Sequence, residues 1–391
     1  MSRNDQALSG SQSPNGVPSQ RFSRQASLRA VDRATGDLRR GDPVLVRPDV
    51  GPALLIMAAE SAADQGLDRM ISLGGSVPSV ILTGQRAVTL GLSTKADGVL
   101  SLGLAKRPEA AWIRAMADPL ESVPAGSLDG VAGPHFDEDS KTGAVAATRL
   151  LKLARLLPAA LAIEVERPLA TDRLAANSDI LSVAAFDIDH YQAHAARSLR
   201  RVADARVPLD GAEVTDIVAF RPTDGGQEHL AIIIGTPAPD QPVLVRLHSE
   251  CFTGDLLGSL RCDCGPQLRG AVSEIAKQGG GILLYLAQEG RGIGLINKLR
   301  AYQLQDADFD TVDANEMLGY DADERLYLPA AEMLGQLGFG KVRLMTNNPE
   351  KVGDLNAMGI DVVERVPHIF PANGHNEFYL RTKKLRTGHL I

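Results

Sequence analysis

The amino-acid sequence predicts an α/β protein, in an α+β arrangement, that is divided into two domains. Its 391 residues are enough for two hydrophobic cores. Short apolar runs of strand length alternate with longer stretches of helix length in both halves. A segment with proline and glycine, from about residue 221 to 242, interrupts that alternation. We therefore expect a first domain at 29–210 and a second at 211–391, with the boundary between 200 and 220.

Composition narrows the class of protein. Hydrophobic residues make up 44% of the chain, and no apolar run approaches the roughly 18 residues that span a bilayer. Residues 1–28 are rich in Ser, Gln, Asn, Gly and Pro, so we expect a disordered tail there. The chain opens without an apolar export signal, which predicts a cytoplasmic protein with no membrane partner. A formal charge of -7 argues against nucleic-acid binding, whereas a local basic pocket for a polyphosphate remains compatible.

The first domain contains the less regular part of the pattern. Apolar runs at 44–46, 79–83 and 161–165 predict strands. The stretches at 53–65 and 143–157 have the length and composition of helices. Their alternation indicates an α/β layer.

The second domain shows the alternation more clearly. Proline opens two of its predicted helices, where a missing N–H costs nothing, and Gly338 ends a third. We predict strands at 232–234, 243–248, 281–286 and 342–345, and helices at 266–278, 326–337 and 349–358.

All three cysteines, Cys251, Cys262 and Cys264, fall within one fourteen-residue stretch. Three thiolates hold zinc while its fourth tetrahedral position stays open, which is typical of a catalytic site that activates water near neutral pH. Cys262 and Cys264 alternate, so in an extended backbone both sulfur atoms point the same way. Two other interpretations stay open: three unrelated buried cysteines, or a site with His248 as a fourth ligand. A disulfide is disfavoured, because an odd number leaves one thiol over.

Four polar clusters lie beside predicted strands and helix starts. Residues 246–250 carry polar groups around an inward leucine, and the glycine-rich run 288–294 lets the backbone approach an anion at a helix N-terminus. Carboxylates stand beside an arginine at 318–325, and residues 344–351 form a strand, a polar turn and a helix start. Each cluster also fits an ordinary structural role: a solvated surface strand, a tight turn or helix capping.

Six motifs follow in order from about residue 243 to the end: Arg-x-His-Ser-Glu-Cys, Ser-Leu-Arg-Cys-Asp-Cys-Gly, Gln-Glu-Gly-Arg-x-Ile-Gly-Leu, Ala-Asp-x-Arg, Leu-x-Thr-Asn-Asn-Pro and a terminal Gly-His-Leu. Together they resemble the motifs of GTP cyclohydrolase II. The resemblance implies a mixed sheet with helices, and hydrolysis of GTP to 2,5-diamino-6-(5-phospho-ribosylamino)pyrimidin-4(3H)-one, formate and pyrophosphate, the first step of riboflavin biosynthesis. It also implies one zinc ion per subunit, magnesium with the GTP phosphates, and a homodimer.

The same resemblance assigns roles to individual residues. The three cysteines match the zinc ligands. Asp323 matches a proton acceptor, Arg325 a group assigned to attack at the α-phosphate, and Tyr302 a tyrosine of the active site. A guanidinium stays protonated, which suits Arg325 better to stabilising phosphoryl charge than to attack. The residues that match GTP contacts are Arg246, Leu247, His248, Ser249, Glu250, Gln267, Glu289, Gly290, Arg291, Thr311, Thr346 and Lys351.

One position departs from the motif. Many relatives have Arg-Gln-Glu-Gly-Arg, whereas Ala287 precedes Gln288 here, so a positive side chain is missing unless Lys298 or Arg300 compensates. The departure keeps a second hypothesis open, a related nucleotide-ring hydrolase of pyrimidine catabolism. A third hypothesis is a non-catalytic nucleotide-binding regulator whose zinc is structural.

The first domain faintly resembles a 3,4-dihydroxy-2-butanone 4-phosphate synthase, which precedes the cyclohydrolase in many bacteria. The likeness lies at residues 37–46, 55–60 and 153–160. The dense acidic loop that binds magnesium in that family is replaced at 47–53 by a segment with one carboxylate, a poor magnesium site, and the expected His-Thr-Glu is missing. His135 with the acidic residues 137–139 is a candidate displaced site, but a solvated acidic loop is favoured. We predict a degenerate, synthase-like domain without synthase activity.

Overall fold

The computed structural model contains two seven-stranded sheets, one in each half of the chain, with helices packed on both faces of each. This confirms the predicted mixed α/β class. The structure describes residues 18–124, 131–137, 142–165, 179–371, 374, 381, 382, 384, 386, 388 and 390.

Seven strands build the first sheet: β1 (Val44–Arg47), β2 (Ala53–Ala58), β3 (Ser79–Thr83), β4 (Val99–Leu104), β5 (Val131–Asp137), β6 (Ala159–Val165) and β7 (Ser182–Ala184). They lie in the order β5-β4-β3-β6-β2-β1-β7. Every neighbouring pair is antiparallel except β1 with β7. All residues of β2 are buried, because helices cover both faces of the sheet at its centre.

Helices of the first half pack on both faces of this sheet. They are α1 (Pro18–Arg40), α2 (Asp64–Gly74), α3 (Gly84–Thr89), α4 (Ala110–Ala117), α5 (Gly143–Leu153) and α6 (Ala185–Arg197). Leu67 of α2 and Ile113 of α4 enter the core on one face. Leu38 of α1 and Leu150 of α5 enter the core on the other. Each helix thus buries one apolar stripe against the strands.

The second sheet consists of β8 (Arg200–Arg206), β9 (Thr215–Arg221), β10 (His229–Gly235), β11 (Val243–Ser249), β12 (Gly280–Leu286), β13 (Lys341–Met345) and β14 (Asp361–Val366). The strand order is β14-β13-β11-β12-β10-β9-β8. Strands β12, β11, β13 and β14 pair in parallel, and the remaining pairs are antiparallel. The sheet begins at Arg200, within the expected boundary region of residues 200–220, because β8 pairs along β9.

The helices of the second half are α7 (Cys264–Lys277), α8 (Leu295–Gln305), α9 (Thr311–Met317), α10 (Leu328–Leu337) and α11 (Glu350–Ala357). Helix α7 packs on one face of the second sheet through Ala271 and Ile275. Helices α10 and α11 pack on the other through Leu334 and Leu355. None of the described helices has both the length and the hydropathy that a bilayer crossing requires.

Helices α8 and α9 follow the second sheet's strands in sequence but pack into the first domain. Leu304 of α8, Ala314 of α9 and Tyr320 share one buried cluster with Leu82 of β3. The chain comes so close at Gly319 that an added Cβ would lie 2.7 Å from Thr83 Oγ1. The two halves therefore share a hydrophobic core.

One predicted helix is wrong. Residues 53–65 form strand β2 and a turn, and α2 begins only at Asp64. Burial on both faces leaves the run 53–58 uniformly apolar, so neither a helical nor an alternating period marks it. The other predicted strands and helices are present, with their ends shifted by a few residues.

The predicted disordered tail is also wrong over part of its length. Residues 18–28 belong to helix α1. Leu28, Val31 and Leu38 recur at helical spacing and are buried, which supplies the apolar stripe that the polar composition hid. Residues 1–17 lie outside the described part of the chain.

Replacing Tyr320 by phenylalanine should lower the free energy of unfolding by about 1–3 kcal/mol. The buried hydroxyl donates to the Leu156 carbonyl at 2.5 Å and accepts from Asn297 Nδ2 at 3.0 Å, so it joins the two halves of the chain. Denaturant titration measures the loss. Tyr327→Phe is the matched control, because the buried Tyr327 hydroxyl has no hydrogen-bond partner among the described residues. Equal destabilisation by both variants would contradict the assigned role.

Candidate active site

Strand β11 brings the first polar groups into the interior. Its side chains alternate, so Val245 and Leu247 enter the core beneath α10 while Arg246 and His248 face the side that carries α7. Arg246 is 7% exposed and His248 3%. The interpretation of this segment as a solvated surface strand is therefore wrong. Ser249 ends the strand beside Leu286, the last residue of the parallel β12, and Glu250 follows it.

The three cysteines meet between β11 and α7. Cys251 follows the strand, a π-helical turn over Phe252–Leu256 reverses the chain, and Cys264 is the first residue of α7. The three Sγ atoms lie within 4.8 Å of one another, and those of Cys251 and Cys262 are 3.8 Å apart. Gly254 keeps the space clear, since a Cβ there would stand 2.8 Å from Cys262 Sγ. The sulfur atoms form one preformed group that can hold a metal ion.

A buried ion pair lies against this cysteine cluster. Lys298 Nζ stands 2.7 Å from Glu289 Oε1 and 3.0 Å from Cys251 Sγ. It also donates to Thr253 Oγ1 at 3.0 Å. The second carboxylate oxygen of Glu289 accepts from the backbone N–H of Phe252 at 2.6 Å. Burial works to lower the pKa of Lys298, but the bonds to Glu289 and Cys251 raise it overall, so the ammonium stays charged.

Proximity sets the protonation of the thiols. Hydrogen bonds from Cys262 and Cys264, assisted by the Lys298 ammonium, lower the pKa of the Cys251 thiol. The bond to Cys251 raises the pKa of Cys262 to about 11, and the pKa of Cys264 is raised as well. One thiolate is therefore stable before a metal binds. The charge of a metal ion allows all three thiols to ionise.

His248 is held by a carboxylate rather than by the cysteines. Its Nε2 lies 3.0 Å from both carboxylate oxygens of Asp255, and its ring stacks on Tyr285. The Tyr285 hydroxyl and the Cys251 N–H also donate to Asp255, at 3.0 and 3.1 Å. Among the described residues the metal-ligand group consists of the three cysteines alone. The alternative with His248 as a fourth ligand is therefore wrong.

Buried cations border the same cleft. Arg246 Nη1 donates to the Met345 carbonyl at 3.0 Å, and Nη2 donates to Gln267 Oε1. Burial lowers the pKa of Arg246 to about 10, so it remains protonated at neutral pH. Its Nε has no partner among the described residues. Lys351 is 7% exposed and lies 5.1 Å from the centre of the Tyr327 ring. These charges suit an anionic ligand.

A polar turn precedes α11 beside these cations. The Thr346 hydroxyl accepts from the Asn348 N–H at 3.1 Å. Asn347 is anchored on His368, donating to its carbonyl at 2.6 Å and accepting from its N–H at 2.8 Å. Thr346 and Asn347 are buried and line the cleft.

The loop between β12 and α8 has an unusual backbone. Gly290 and Arg291 both have positive φ, 65° and 60°, which costs a non-glycine residue about 1 kcal/mol. Arg291 Nη1 donates to the Ala322 carbonyl at 3.2 Å. The Arg291 carbonyl accepts from the Glu324 N–H at 3.0 Å. The loop is thus tied to the segment 321–325.

Asp323 and Arg325 form a two-bonded ion pair in that segment. Arg325 Nε donates to one carboxylate oxygen at 2.8 Å, and Nη2 donates to the other. Burial works to raise the pKa of Asp323, but these bonds lower it overall, so the carboxylate is ionised at neutral pH. The Asp323 side chain is 39% exposed. Arg325 borders the cleft and Asp323 does not.

Helices α8 and α9 close the cleft from the side of the first domain. The Tyr302 hydroxyl lies 3.3 Å from Thr253 Oγ1, and the Arg261 guanidinium lies 5.0 Å from the centre of its ring. Thr311 begins α9, and its hydroxyl accepts from Gln305 Nε2 at 3.3 Å. The position of this wall therefore depends on how α8 and α9 pack against the first sheet.

The cleft gathers every residue that the resemblance assigns to the site except Asp323. It also contains residues that the motifs did not assign to the site: Arg261, Ile293, Lys298, Ala301, Gln305, Asn315 and Asn347. The polar pair Asn297–Lys298 interrupts an otherwise apolar helix start, and this signal could have identified Lys298 as a residue of the site. Asp255 was not predicted because it does not line the cleft and contributes through its hydrogen bond to His248.

Lys298 and Arg300, the two candidates to compensate for Ala287, are already paired elsewhere. Lys298 binds Glu289 and Cys251. Arg300 Nε lies 3.1 Å from Asp118 Oδ2, and its guanidinium also lies 3.5 Å from Glu60 Oε2, both in the first half of the chain.

Comparison with known proteins identifies the family. A family model described as GTP cyclohydrolase II matches residues 200–367. The GTP cyclohydrolase-2 of Azospirillum brasilense is 57% identical over 369 residues, which cover 94% of this chain and 95% of the relative. The chain belongs to the GTP cyclohydrolase II family. Family members from Shewanella baltica and Cronobacter sakazakii are both 52% identical, but over 50% and 49% of this chain and 95% and 98% of their own lengths.

Solved structures give a weaker likeness. A two-domain 3,4-dihydroxy-2-butanone 4-phosphate synthase from A. baumannii aligns with a TM-score of 0.35 and 17% identity, covering 86% of this chain and 98% of that one. The Candida albicans synthase aligns with a TM-score of 0.33 and 18% identity over 41% of this chain and 96% of its own. These scores are too low to assign a fold or an activity to the first half of this GTP cyclohydrolase II family member.

Replacing Gly254 by alanine should weaken metal binding by about tenfold or more and leave the fold intact. The new methyl would stand within 2.9 Å of the Sγ atoms of Cys251 and Cys262, so the sulfur atoms would have to separate. Competition with a chelator for added zinc measures the affinity. Gly353→Ala on α11 is the control, because a methyl there meets nothing within 4 Å. Unchanged affinity in the Gly254 variant would show that the glycine does not shape the site.

Proposed function

We propose that this chain hydrolyses GTP to 2,5-diamino-6-(5-phospho-ribosylamino)pyrimidin-4(3H)-one, formate and pyrophosphate, the first step of riboflavin biosynthesis. Membership of the GTP cyclohydrolase II family supports this reaction. One observation carries it: the three-thiol cluster and the buried Arg246 and Lys351 border the same cleft. A site for ring opening and a site for phosphates are thereby joined.

We infer that zinc occupies the cysteine cluster. The donor set fits, because three sulfur atoms converge and Gly254 leaves the space between them clear. Thiolates favour zinc over magnesium or calcium, which prefer oxygen. When bound by Cys251, Cys262 and Cys264, zinc supplies the activation of water that ring opening requires.

The protein's own groups would act around that centre. The Lys298 ammonium adjoins the Cys251 sulfur and holds the cysteine loop through Glu289. Burial raises the pKa of Tyr302, although its bond to Thr253 opposes this, so the phenol keeps its proton and is a donor at neutral pH. Tyr302 is thus suited to donate a hydrogen bond to the base of the nucleotide.

The cations that line the cleft suit a triphosphate. Arg246, Arg291, Arg325 and Lys351 supply positive charge there, and guanidinium groups bind phosphate through paired bonds. Magnesium would accompany the phosphates, as it commonly binds phosphate oxygens with few protein ligands. The remaining proposed contacts are Leu247, His248, Ser249, Glu250, Gln267, Glu289, Gly290, Thr311 and Thr346.

The ion pair of Asp323 and Arg325 supports distinct roles for its members. Asp323 is ionised, as a proton acceptor must be. Arg325 keeps its charge, so we assign it to stabilising the phosphoryl group that is transferred rather than to attack on it. Of the two, only Arg325 borders the cleft, and the Asp323 carboxylate holds it there.

The two other hypotheses have less support. A hydrolase of pyrimidine catabolism rests on Ala287 alone, whereas relatives at 52–57% identity carry the name GTP cyclohydrolase-2. A nucleotide-binding regulator with structural zinc would also use the cations, but structural zinc is closed by four ligands, whereas three thiols form the group among the described residues. A cytoplasmic location stays a prediction of the sequence.

We also propose that the protein forms a homodimer and that its first domain catalyses no reaction. Leu256, Leu257 and Leu260, in the loop between Cys251 and Cys262, are 71%, 65% and 56% exposed, and a second copy would cover such an apolar surface. The division into domains that we propose follows the sheets, with the second domain starting near Arg200.

Purified protein supplied with GTP, zinc and magnesium should release formate and pyrophosphate, and Cys264→Ser should lower kcat by about a hundredfold or more. The substitution removes a thiolate from the metal site. Formate assay and product mass measure turnover, and zinc is quantified in the same samples. Removal of zinc by a chelator should abolish turnover and its return should restore it. A Cys264 variant that lacks zinc yet turns over GTP at the parent rate would exclude the metal mechanism.

Incubation with ribulose 5-phosphate and magnesium should give no dihydroxybutanone phosphate. In the segment 47–53 the sole carboxylate is Asp49, which is exposed, and His135 on β5 is exposed as well. Residues 138–139 lie outside the described part of the chain. Mass analysis of the products checks the claim, with an active synthase as the positive control. Measurable turnover would show that the first domain is an enzyme.

A further inference from the structure

The turn that ends helix α5 reaches from the first domain to the proposed cyclohydrolase site. Helix α5 ends at Leu153, and Arg155 follows with a left-handed φ of 58°, a conformation that usually falls to glycine. Such a backbone at a non-glycine residue costs about 1 kcal/mol or more, so neighbouring contacts must hold it.

The backbone of this turn is anchored on the second half of the chain. The Arg155 carbonyl accepts from Asn297 Nδ2 at 3.0 Å, and Asn297 is fully buried at the start of α8. The next carbonyl, that of Leu156, accepts from the Tyr320 hydroxyl at 2.5 Å. Arg39 of α1 supports the turn from the other side, since its Nε donates to the Ala154 carbonyl at 2.7 Å. The turn therefore has one defined position.

The Arg155 side chain lies along the loop that follows β12. Its guanidinium donates to the Ala287 carbonyl at 3.3 Å and to Gln227. Its aliphatic part passes so close to Gly294 that a Cβ there would be 3.0 Å from Arg155 Cδ. Burial lowers the pKa of Arg155 and Arg39 adds to this, whereas Glu250 and Glu289 oppose it. A cation thus lies beside Ala287, the residue at which the motif lacks one.

Lys152, one turn earlier in α5, holds the second loop of the site. Its Nζ lies 2.6 Å from Glu324 Oε1 and 2.9 Å from Asp321 Oδ2. Glu324 stands between Asp323 and Arg325 in sequence, and its N–H donates to the Arg291 carbonyl. Lys152 and Glu324 are largely shielded, so their attraction is less screened than that of a surface pair.

We propose that Lys152 and Arg155 are positioning residues of the cyclohydrolase site, through which the first domain sets the loops 287–294 and 321–325. Arg155 fixes the start of the loop that carries Glu289 and Arg291, and Lys152 fixes the segment that carries Arg325. Neither residue borders the cleft that holds the cysteines. The inference rests on the proposed GTP hydrolysis and gives the first domain a role that requires no chemistry of its own.

The test compares Arg155→Ala, Lys152→Met and Lys152→Arg with the parent protein. The displaced loops carry proposed GTP contacts as well as Arg325, so the first two variants should lose about 10- to 100-fold in kcat and raise KM for GTP by a smaller factor. Lys152→Arg keeps a cation within reach of Glu324 and should recover most of the activity. Zinc content and the unfolding midpoint should stay close to the parent values in all three.

Arg149→Ala is the matched control. Arg149 lies on the same helix, and its ion pair with Asp189 stays within the first domain. The kcat of the Arg149→Ala variant should equal that of the parent. The proposal would be overturned if Arg155→Ala and Lys152→Met had the kcat of the parent. It would also be overturned if their losses in kcat only matched a smaller folded fraction.

Hydrogen–deuterium exchange separates this proposal from the proposed function. The amides of 287–294 and 321–326 should exchange faster in Arg155→Ala and Lys152→Met than in the parent, with or without GTP turnover. Unchanged exchange at these loops would overturn the positioning role even if the enzyme is active. A parent protein that does not hydrolyse GTP would instead refute the proposed function.

Discussion

The arrangement of the site depends on the buried pair of Glu289 and Lys298. Their charged atoms are 2.7 Å apart and shielded from water, so removing either would leave an uncompensated charge in the interior. The carboxylate also holds the Phe252 N–H at the start of the cysteine loop, and the ammonium reaches the Cys251 sulfur. One pair thus joins the end of β12, the start of α8 and the loop that carries the thiols. The convergence of the cysteines follows from that junction.

Much of the cleft was predictable from sequence, because its residues follow the carboxyl ends of parallel strands that meet at one edge of the sheet. Cysteine spacing and the short motifs identified most of them. What escaped prediction depends on contacts between distant segments, such as Asp255 on His248 and Lys298 on Cys251. Strand β2 was mistaken for a helix because burial on both faces removes any period. The front of α1 was hidden by its polar composition, although its few apolar residues keep helical spacing.

The structure shows that the two domains are not independent units. Each has its own sheet, but α8 and α9 complete the apolar core of the first while forming a wall of the cleft in the second. Buried polar contacts cross at the same place, from Asn297 to Arg155 and from Tyr320 to Leu156. Such contacts are expensive to break without replacement. The first domain therefore belongs to the architecture of the site, whatever its ancestry.

The shared core also constrains the order in which the chain can fold as it is made. The last central strand of the first sheet, β6, ends at Val165, whereas the second-half residues that complete the core beside α2 and α4 begin at Ile293. They leave the ribosome about 130 residues later, a delay of roughly 6 to 26 s at ordinary rates of synthesis. During that interval the part of this face of the sheet that α2 and α4 leave uncovered stays exposed. The nascent chain has a period of vulnerability to aggregation that a self-contained first domain would not have.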